Sequence, residues 1–325
     1  MTTGNNAMTE MRFDGQVAIV TGAGNGLGRA YALALAARGA AVVVNDIGIS
    51  VGGDRESRRP ANSVVDEIVA AGGRAAPSYG DVSKASGGQE IVATALTAFG
   101  RVDILINNAG VLDTAAFVTS SEESVDRVVR THLLGAFNVT RPALKVMLDQ
   151  GYGRIVSTSS GAVFGSKEGV AYQAAKSGLI AFTRAMRQIG AGSGVLSNAV
   201  MPTAFTRMTS DISDAGFRDF MESRFTPERV AAAVLLLAHE SLDVSGECFL
   251  AGGGRMARVF LGVTQGHISQ DPSPEEFRDH LHEIMDTDGY IVPSSRIEEF
   301  ESYLPRMGYG ASLSALVGTQ APPQK

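Results

Sequence analysis

Short apolar runs alternate with helical segments along most of this chain, and this alternation restricts the fold more than any other feature. Val17–Val20 and Ala41–Val44 are typical of strands buried on both faces of a parallel sheet, and alanine-rich segments follow them. The alternation continues to a last apolar run at Glu247–Ala251. Because parallel strands need crossover helices, the pattern predicts an α/β fold, a Rossmann-type doubly wound parallel sheet of seven strands.

The limits of this alternation predict the domain organisation. Residues 1–11 are polar and expected to be disordered, whereas residues 12–254 contain no linker and are expected to form one domain. Residues 255–325 form a C-terminal helical extension, in which Ser273–Glu276 has the N-cap and N1-proline signature of a helix start. We expect this extension to lie near the substrate entrance; the alternative is that it covers the sheet edge or an oligomer interface.

A long helix is predicted in the middle of the chain. Ser120 and Glu123 have capping-box spacing, which predicts a helix that starts there and runs to Asp149. Pro142 lies inside this segment and predicts a bend.

Composition excludes several classes of protein. The net charge of −6 gives no indication of a nucleic-acid partner, and no apolar run is long enough to span a membrane. Cys248 is the only cysteine, and no histidine pair has HExxH spacing, so a metal site is not expected. The first residues lack the apolar core of a signal peptide, which favours a cytoplasmic protein.

A glycine-rich loop follows the first apolar run and precedes the first helix. Glycines in this position permit a tight turn and a close approach of the backbone to a pyrophosphate at a helix N-terminus. The alternative is a turn that needs glycine only for its conformation. The GxxxGxG spacing gives the candidate cofactor-binding residues Gly22, Asn25, Gly26, Leu27 and Gly28.

The end of the second strand carries a residue that can select the cofactor. Asp46 stands where a carboxylate can bind the ribose 2′-hydroxyl of NAD and repel the 2′-phosphate of NADP. Arg55, Arg58 and Arg59 follow closely and would be able to accept that phosphate, although solvated loop charges explain them as well. We therefore expect NAD as the cofactor.

A tyrosine and a lysine stand four residues apart in a helical segment. Tyr172 and Lys176 lie on one face of this helix, where an ammonium group would lower the pKa of the phenol and make it usable as a general acid or base. The pair alone is weak evidence, since many surface helices carry the same spacing. Its position downstream of the glycine loop makes a catalytic role the favoured interpretation.

These motifs together resemble the short-chain dehydrogenase/reductase family. The resemblance covers about residues 12–254 and includes Ser159, which lies 13 residues before Tyr172. It implies that Tyr172 exchanges a proton with the substrate oxygen, that Lys176 assists it and binds the nicotinamide ribose, and that Ser159 hydrogen-bonds the substrate oxygen. The further cofactor contacts that it implies are Asp81, Val82, Asn107, Ala109, Gly110, Pro202, Thr203 and Thr206.

Two residues depart from the family pattern. His132 stands where the family has a fourth catalytic residue, asparagine; imidazole can also hold a water in a proton relay, or the side chain can be a satisfied core histidine. Pro202–Thr203 replaces the usual Pro-Gly after the sixth strand.

A narrower resemblance, to the (3R)-hydroxyacyl-CoA dehydrogenase units of peroxisomal multifunctional enzymes type 2, is carried by four features. They are Arg12–Gly15, the strand end Val44–Asp46 with the long loop after it, His132, and Thr206–Thr209. This resemblance implies oxidation of a 3-hydroxyacyl-CoA, from a fatty acid or a sterol side chain. The alternatives are a hydroxysteroid or other free secondary-alcohol dehydrogenase and, less favoured because Ser159, Tyr172 and Lys176 are intact, a nucleotide-binding regulator without catalysis.

The resemblance also implies a homodimer or homotetramer, formed through the long helices at about Ser121–Asp149 and Ala171–Ile189. The segment Phe205–Phe225 contains Phe205, Met208, Phe217, Phe220 and Met221. It is expected to be a flexible lid over an apolar substrate or, alternatively, an amphipathic pair of core helices.

Overall fold

The computed structural model describes residues 10–48, 59–112, 116–206 and 213–309. The predicted disordered tail therefore lies almost entirely outside the described residues. The parallel strands are β1 (Val17–Thr21), β2 (Ala41–Asn45), β3 (Arg74–Ser78), β4 (Ile104–Asn107), β5 (Gly153–Thr158), β6 (Val195–Pro202) and β7 (Cys248–Gly252).

Helices connect these strands. The helices before β7 are α1 (Gly26–Ala37), α2 (Arg59–Ala70), α3 (Ala85–Phe99), α4 (Glu122–Val129), α5 (Gly135–Gln150), α6 (Val170–Gly190), α7 (Ala215–Arg224) and α8 (Pro227–Ala238). Among the described residues, no helix combines the length and apolar character that a membrane span requires.

The strand order is β3-β2-β1-β4-β5-β6-β7, which is the order of a doubly wound sheet and confirms the predicted fold class. The chain reverses direction across the sheet between β1 and β4, and in such sheets ligands bind beyond the carboxyl ends of the strands at this point. The glycine loop and the residues after β4 lie at this edge.

Each face of the sheet has its own apolar core. Ala18 and Val20 of β1 pack with residues of α1, α2 and α8, whereas Val17 and Ile19 pack with residues of α3 and α5. The alternation along β1 thus fills both cores, because successive side chains of a strand point to opposite faces. Two packed faces hold the strand ends in fixed positions, and the site is built there.

The sheet has an eighth strand that the sequence analysis missed. Strand β8 (Arg255–Val259) pairs antiparallel with β7, and Gly252 lies opposite Arg255. The two residues between them, Gly253 and Gly254, both have positive φ values, 59° and 87°. Two left-handed residues are what a tight two-residue hairpin turn requires, so the Gly-Gly pair was a hairpin signal.

The predicted long helix is interrupted in a place that the sequence did not indicate. Its N-cap is Ser121, whose side chain accepts a hydrogen bond from Ser124 N; Ser120 was the wrong cap. Residues Arg130–Leu134 form a π-helical turn between α4 and α5, whereas Pro142 lies within α5. A π-helical turn inserts an extra residue into a helix and often marks a functional site.

Contacts within the chain separate a second unit, which begins at Phe260, from the sheet domain. The boundary lies beyond Gly254, because β8 belongs to the sheet. The helices described in this unit are α9 (Pro274–Asp279), α10 (Leu281–Met285) and α11 (Arg296–Glu301). As predicted, Ser273 caps α9, accepting from Glu276 N, but the expected single helix ends at Asp279 and a separate short helix follows it.

Candidate active site

The glycine loop packs too tightly for side chains at two of its positions. A Cβ at Gly28 would lie 2.2 Å from the Gly22 carbonyl oxygen, and a Cβ at Gly22 would lie 2.8 Å from Ala109 Cα. Gly26 has a φ of 53°, and the nearest atom to a Cβ there would be Thr206 Cγ2 at 4.0 Å. The loop is therefore closed against β4 and α1 but open above Gly26, as a dinucleotide cradle has to be.

The segment after β4 is fastened to the glycine loop by hydrogen bonds. The Thr21 hydroxyl accepts from Asn108 N at 3.0 Å and from Ala109 N at 3.1 Å, and Asn108 Nδ2 donates to the Thr21 carbonyl at 2.9 Å. Asn107 Nδ2 donates to the Thr140 hydroxyl at 3.0 Å. Thr21 and Asn108 thus hold the two loops together, a role that the sequence analysis did not assign.

Asp46 is oriented by the backbone around it. Its carboxylate oxygens accept from Gly24 N at 3.0 Å and from Gly48 N at 2.8 Å, so the charged group is fixed beside the glycine loop. This is the position at which the sequence analysis expected a ribose contact. Arg55 and Arg58, the alternative determinants of cofactor choice, lie outside the described residues.

Tyr172 and Lys176 are both withdrawn from solvent at the start of α6. Lys176 Nζ donates to the Thr158 carbonyl at 2.5 Å and lies 5.5 Å from the centre of the Tyr172 ring. The expected lowering of the Tyr172 pKa is wrong for this arrangement: burial raises the pKa of Tyr172 and lowers that of Lys176 to about 7. Burial penalises the charged form of each group, and that cost exceeds their mutual effect.

The two serines after β5 have different partners. Ser159, the residue chosen by its spacing, is buried, and its hydroxyl donates to the backbone carbonyl of Lys176 at 2.8 Å. The Ser160 hydroxyl accepts from Ala162 N at 3.1 Å, and Ser160 also lies close enough to Tyr172 to lower the pKa of the phenol, although burial outweighs this effect. Ser160, which sequence reasoning passed over, is therefore a second candidate beside Tyr172, whereas the Ser159 hydroxyl is directed toward the helix backbone.

His132 lies in the π-helical turn and contacts Tyr172 edge-on, with 5.0 Å between the ring centres. Its Nε2 atom lies 3.1 Å from Val111 N and 2.8 Å from Val111 O, so it fixes the turn after Gly110. Burial, with a smaller effect of the Lys176 charge, lowers the pKa of His132 to about 3, which keeps the ring neutral near pH 7.

A small cavity lies between the histidine and the lysine. Its volume is about 10 Å³, and Asn107, His132 and Lys176 line it together with Thr21, Val82 and Thr131. A cavity of this size with several polar groups is about the smallest that holds one water molecule.

The remaining predicted cofactor residues lie at the same edge of the sheet. The Asp81 carboxylate accepts from the backbone N and the hydroxyl of Ser83, while Val82 is buried beside the cavity. Pro202 ends β6, and Thr203 N donates to the Ala251 carbonyl at 2.8 Å.

The predicted lid is only partly described, since residues 207–212 lie outside the described part. Helix α7 buries none of its residues, and Phe217 and Phe220 are about half exposed. Of the two interpretations of this segment, an exposed helix does not fit the pair of core helices, and the lid stays a prediction.

The C-terminal unit contains a cluster of histidine and glutamate side chains in which His267, Glu276 and His280 have ligand atoms within 4.8 Å of one another. Both nitrogens of His267 meet carboxylates, Glu276 at 3.0 Å and Glu283 at 3.1 Å, and these contacts raise its pKa. The rings of His267 and His280 are stacked at 3.9 Å and tilted by only 13°, so one ion cannot lie in both ring planes. We interpret the cluster as imidazolium–carboxylate hydrogen bonding.

Comparisons with known proteins agree with this fold and identify the family. The family model "short chain dehydrogenase" matches residues 16–215. The chain is 44% identical over 260 residues to the peroxisomal multifunctional enzyme type 2 of Drosophila melanogaster, which covers 80% of the chain and 42% of that enzyme. It is 36% identical over 273 residues to the hydroxyacyl-CoA dehydrogenase ChsB1 of Mycobacterium tuberculosis, over 79% of the chain and 83% of that enzyme.

A crystal structure of a short chain dehydrogenase from Mycobacterium avium superposes with a TM-score of 0.73 and 37% identity, over 84% of the chain and 97% of that protein. The fold and site define an oxidoreductase that uses a nicotinamide dinucleotide. The chain belongs to the short chain dehydrogenase family, as its sequence motifs indicated. It spans less than half the length of the Drosophila enzyme that it matches.

Proposed function

We propose that this protein is an NAD-dependent dehydrogenase that interconverts the 3-hydroxy and 3-oxo forms of an acyl-CoA. The similarity to the hydroxyacyl-CoA dehydrogenase, which extends over most of both chains, carries this proposal. The exposed aromatic side chains of α7 support an apolar substrate, because such side chains adapt to alkyl or sterol groups.

The proposed chemistry divides between the cofactor and two hydroxyl groups. A bound nicotinamide accepts or supplies the hydride, and the tight loop at Gly22 and Gly28 fits its pyrophosphate. In oxidation Tyr172 takes the proton of the substrate hydroxyl, and in reduction it returns that proton to the carbonyl oxygen. Ser160 donates a hydrogen bond to the same oxygen and orients it toward Tyr172.

Lys176 and His132 complete the site. With a pKa of about 7, Lys176 can hold or release a proton near neutral pH, which suits a group that exchanges protons with Tyr172. His132 is neutral at that pH, so we assign it a positioning role: its ring supports Tyr172 and fixes the Val111 turn.

The cofactor choice follows from Asp46. We expect a higher catalytic efficiency with NAD than with NADP, because the fixed carboxylate repels a 2′-phosphate. Asp46→Asn retains the shape but loses the charge, and the NAD-to-NADP ratio of kcat/KM should fall about tenfold, the equivalent of ~1.4 kcal/mol. A wild-type preference for NADP would contradict this role for Asp46.

A substrate panel tests the proposed function. NAD reduction should be measured with 3-hydroxyacyl-CoA esters of several chain lengths, with a sterol side-chain ester, and with the corresponding free acids and hydroxysteroids. We expect the CoA esters to have the highest kcat/KM. A preference for free steroids or alcohols would replace the proposal with a free secondary-alcohol dehydrogenase.

We further propose a cytoplasmic homo-oligomer whose residues 255–325 shape the substrate entrance. Because β8 completes the sheet, the truncation that tests this should follow Val259 rather than Gly254. Light scattering should give a mass of at least two chains for the full-length protein. The truncated protein should bind NAD normally but have a raised KM for long acyl-CoA esters, and an unchanged KM would contradict the role at the substrate entrance. A monomeric full-length protein would contradict the proposed oligomer.

A further inference from the structure

Two arginines flank the hairpin turn at the carboxyl end of β7, and neither has a carboxylate partner within the described part of the chain. Arg255 is exposed and lines a cavity of about 90 Å³ together with Thr203, Phe225 and Gly252. Arg229, in the first turn of α8, places its Nη1 atom 3.6 Å from the position of a Cβ at Gly254. Among the described residues, no side chain forms a hydrogen bond or ion pair with either guanidinium.

Arg258, the next arginine on β8, has a carboxylate partner and therefore contrasts with Arg255. Arg258 forms a two-pronged contact with Glu247, with distances of 2.7 and 3.0 Å. Several other arginines of this acidic chain, Arg101 and Arg130 among them, also meet aspartates. Two unneutralised guanidinia at one hairpin turn, of which Arg255 lines the cavity, therefore form a local anion-attracting surface, and guanidinium suits phosphate better than ammonium does.

This surface adjoins the site described above. A Cβ at Gly252 would lie 2.4 Å from the Thr203 carbonyl oxygen, and one at Gly253 would lie 2.8 Å from the Phe225 ring. The hairpin thus packs directly on the residues that follow β6 and on the residue that follows α7. The cavity consequently lies at the carboxyl ends of β6 and β7, next to Thr203, one of the predicted cofactor-binding residues.

The pyrophosphate of a dinucleotide held at the glycine loop is too far away to be the anion in question. Four strand spacings separate β1, which precedes the glycine loop, from β7 in the sheet order. At ~4.8 Å per spacing this distance is ~19 Å. An anion that reaches Arg255 therefore belongs to a second molecule, and an acyl-CoA carries its phosphates at the end of a long arm remote from the reacting carbon.

We propose that Arg255 and Arg229 form a subsite for the phosphate groups of the CoA portion of the substrate. This inference rests on the proposed acyl-CoA function and adds the residues that distinguish a CoA ester from a thioester without phosphates. It makes Arg255 and Arg229 determinants of KM and leaves the proton and hydride transfers to the residues at Tyr172.

The test compares Arg255→Gln, Arg229→Gln and the double variant with Arg258→Gln, which removes the same charge from the same strand. Each protein is assayed with 3-hydroxybutyryl-CoA and with the N-acetylcysteamine thioester of the same acid, which has no phosphate. Each subsite variant should raise the KM for the CoA ester about tenfold, as expected for a lost charge-assisted hydrogen bond, with kcat unchanged. The KM for the short thioester and all constants of Arg258→Gln should remain at the wild-type values.

Binding of free CoA, measured by calorimetry in the presence of NAD, gives a readout that does not depend on turnover. It should weaken in the double variant but not in Arg258→Gln. Three results would overturn the subsite. They are an unchanged KM for the CoA ester in the double variant, an equal rise in KM for both thioesters, and a rise in the KM for NAD instead of the CoA ester. If the wild-type enzyme turns over CoA esters and the variants have wild-type constants, only the subsite proposal is refuted. If the wild-type enzyme turns over no CoA ester, the proposed function itself is refuted.

Discussion

Replacing Tyr172 by phenylalanine should lower kcat by a factor of ~10²–10⁴, because general acid–base catalysis typically contributes that much. The hydroxyl is the only atom group removed, and the ring that contacts His132 remains in place. NADH should therefore bind the variant with nearly wild-type affinity, which fluorescence titration can measure. The loss of activity then reports proton transfer and not cofactor binding.

Tyr31→Phe provides the matched control for this variant. Tyr31 is fully buried in α1, and its hydroxyl has no hydrogen-bond partner among the described residues. Removing it should leave kcat unchanged and should not destabilise the protein, because an unsatisfied buried hydroxyl makes no favourable contribution. Near-normal turnover by a correctly folded Tyr172→Phe protein would refute the assignment of Tyr172 as the proton carrier.

The sequence was sufficient to predict the sheet because its strands are apolar on both faces. Ala41–Asn45 is buried along its whole length, so composition alone identified it. Strand β8 was missed because it lies at the edge and is half exposed, and its residues Arg255–Val259 do not form an apolar run. The π-helical turn at Arg130–Leu134 was missed because it is set by packing around His132 and not by a helix-breaking residue.

The sequence was sufficient to predict those parts of the site in which the residues lie a few positions apart within one helix or loop. The four-residue spacing of Tyr172 and Lys176 and the spacing of Gly22, Gly26 and Gly28 are local, and the structure places these residues together. The environment was not predictable: a sequence does not show that Lys176 donates to the Thr158 carbonyl or that burial dominates the two pKa values.

The choice between the two serines is the largest disagreement between spacing and geometry. Counting back 13 residues from Tyr172 selects Ser159. The interval has the length that the family pattern requires, but the connection between β5 and α6 forms a short 3₁₀ helix at Gly161–Phe164 with Ser160 as its cap. Spacing alone therefore did not show that the Ser159 hydroxyl donates to the Lys176 carbonyl.

Ser160→Ala and Ser159→Ala should accordingly have different effects. Ser160→Ala removes the donor that faces Tyr172 and should lower kcat/KM by ~10²–10³, which is typical when one donor to a reacting oxygen is lost. Ser159→Ala removes a hydrogen bond to the Lys176 carbonyl and should cost about 1 kcal/mol of unfolding free energy with little change in kcat. Thermal unfolding and steady-state kinetics of the two variants measure both effects, and Ser160→Thr should recover part of the activity because it restores a hydroxyl. A greater loss of activity in Ser159→Ala than in Ser160→Ala would return the catalytic role to Ser159 and show that the hydroxyl turns toward the substrate only when ligands bind.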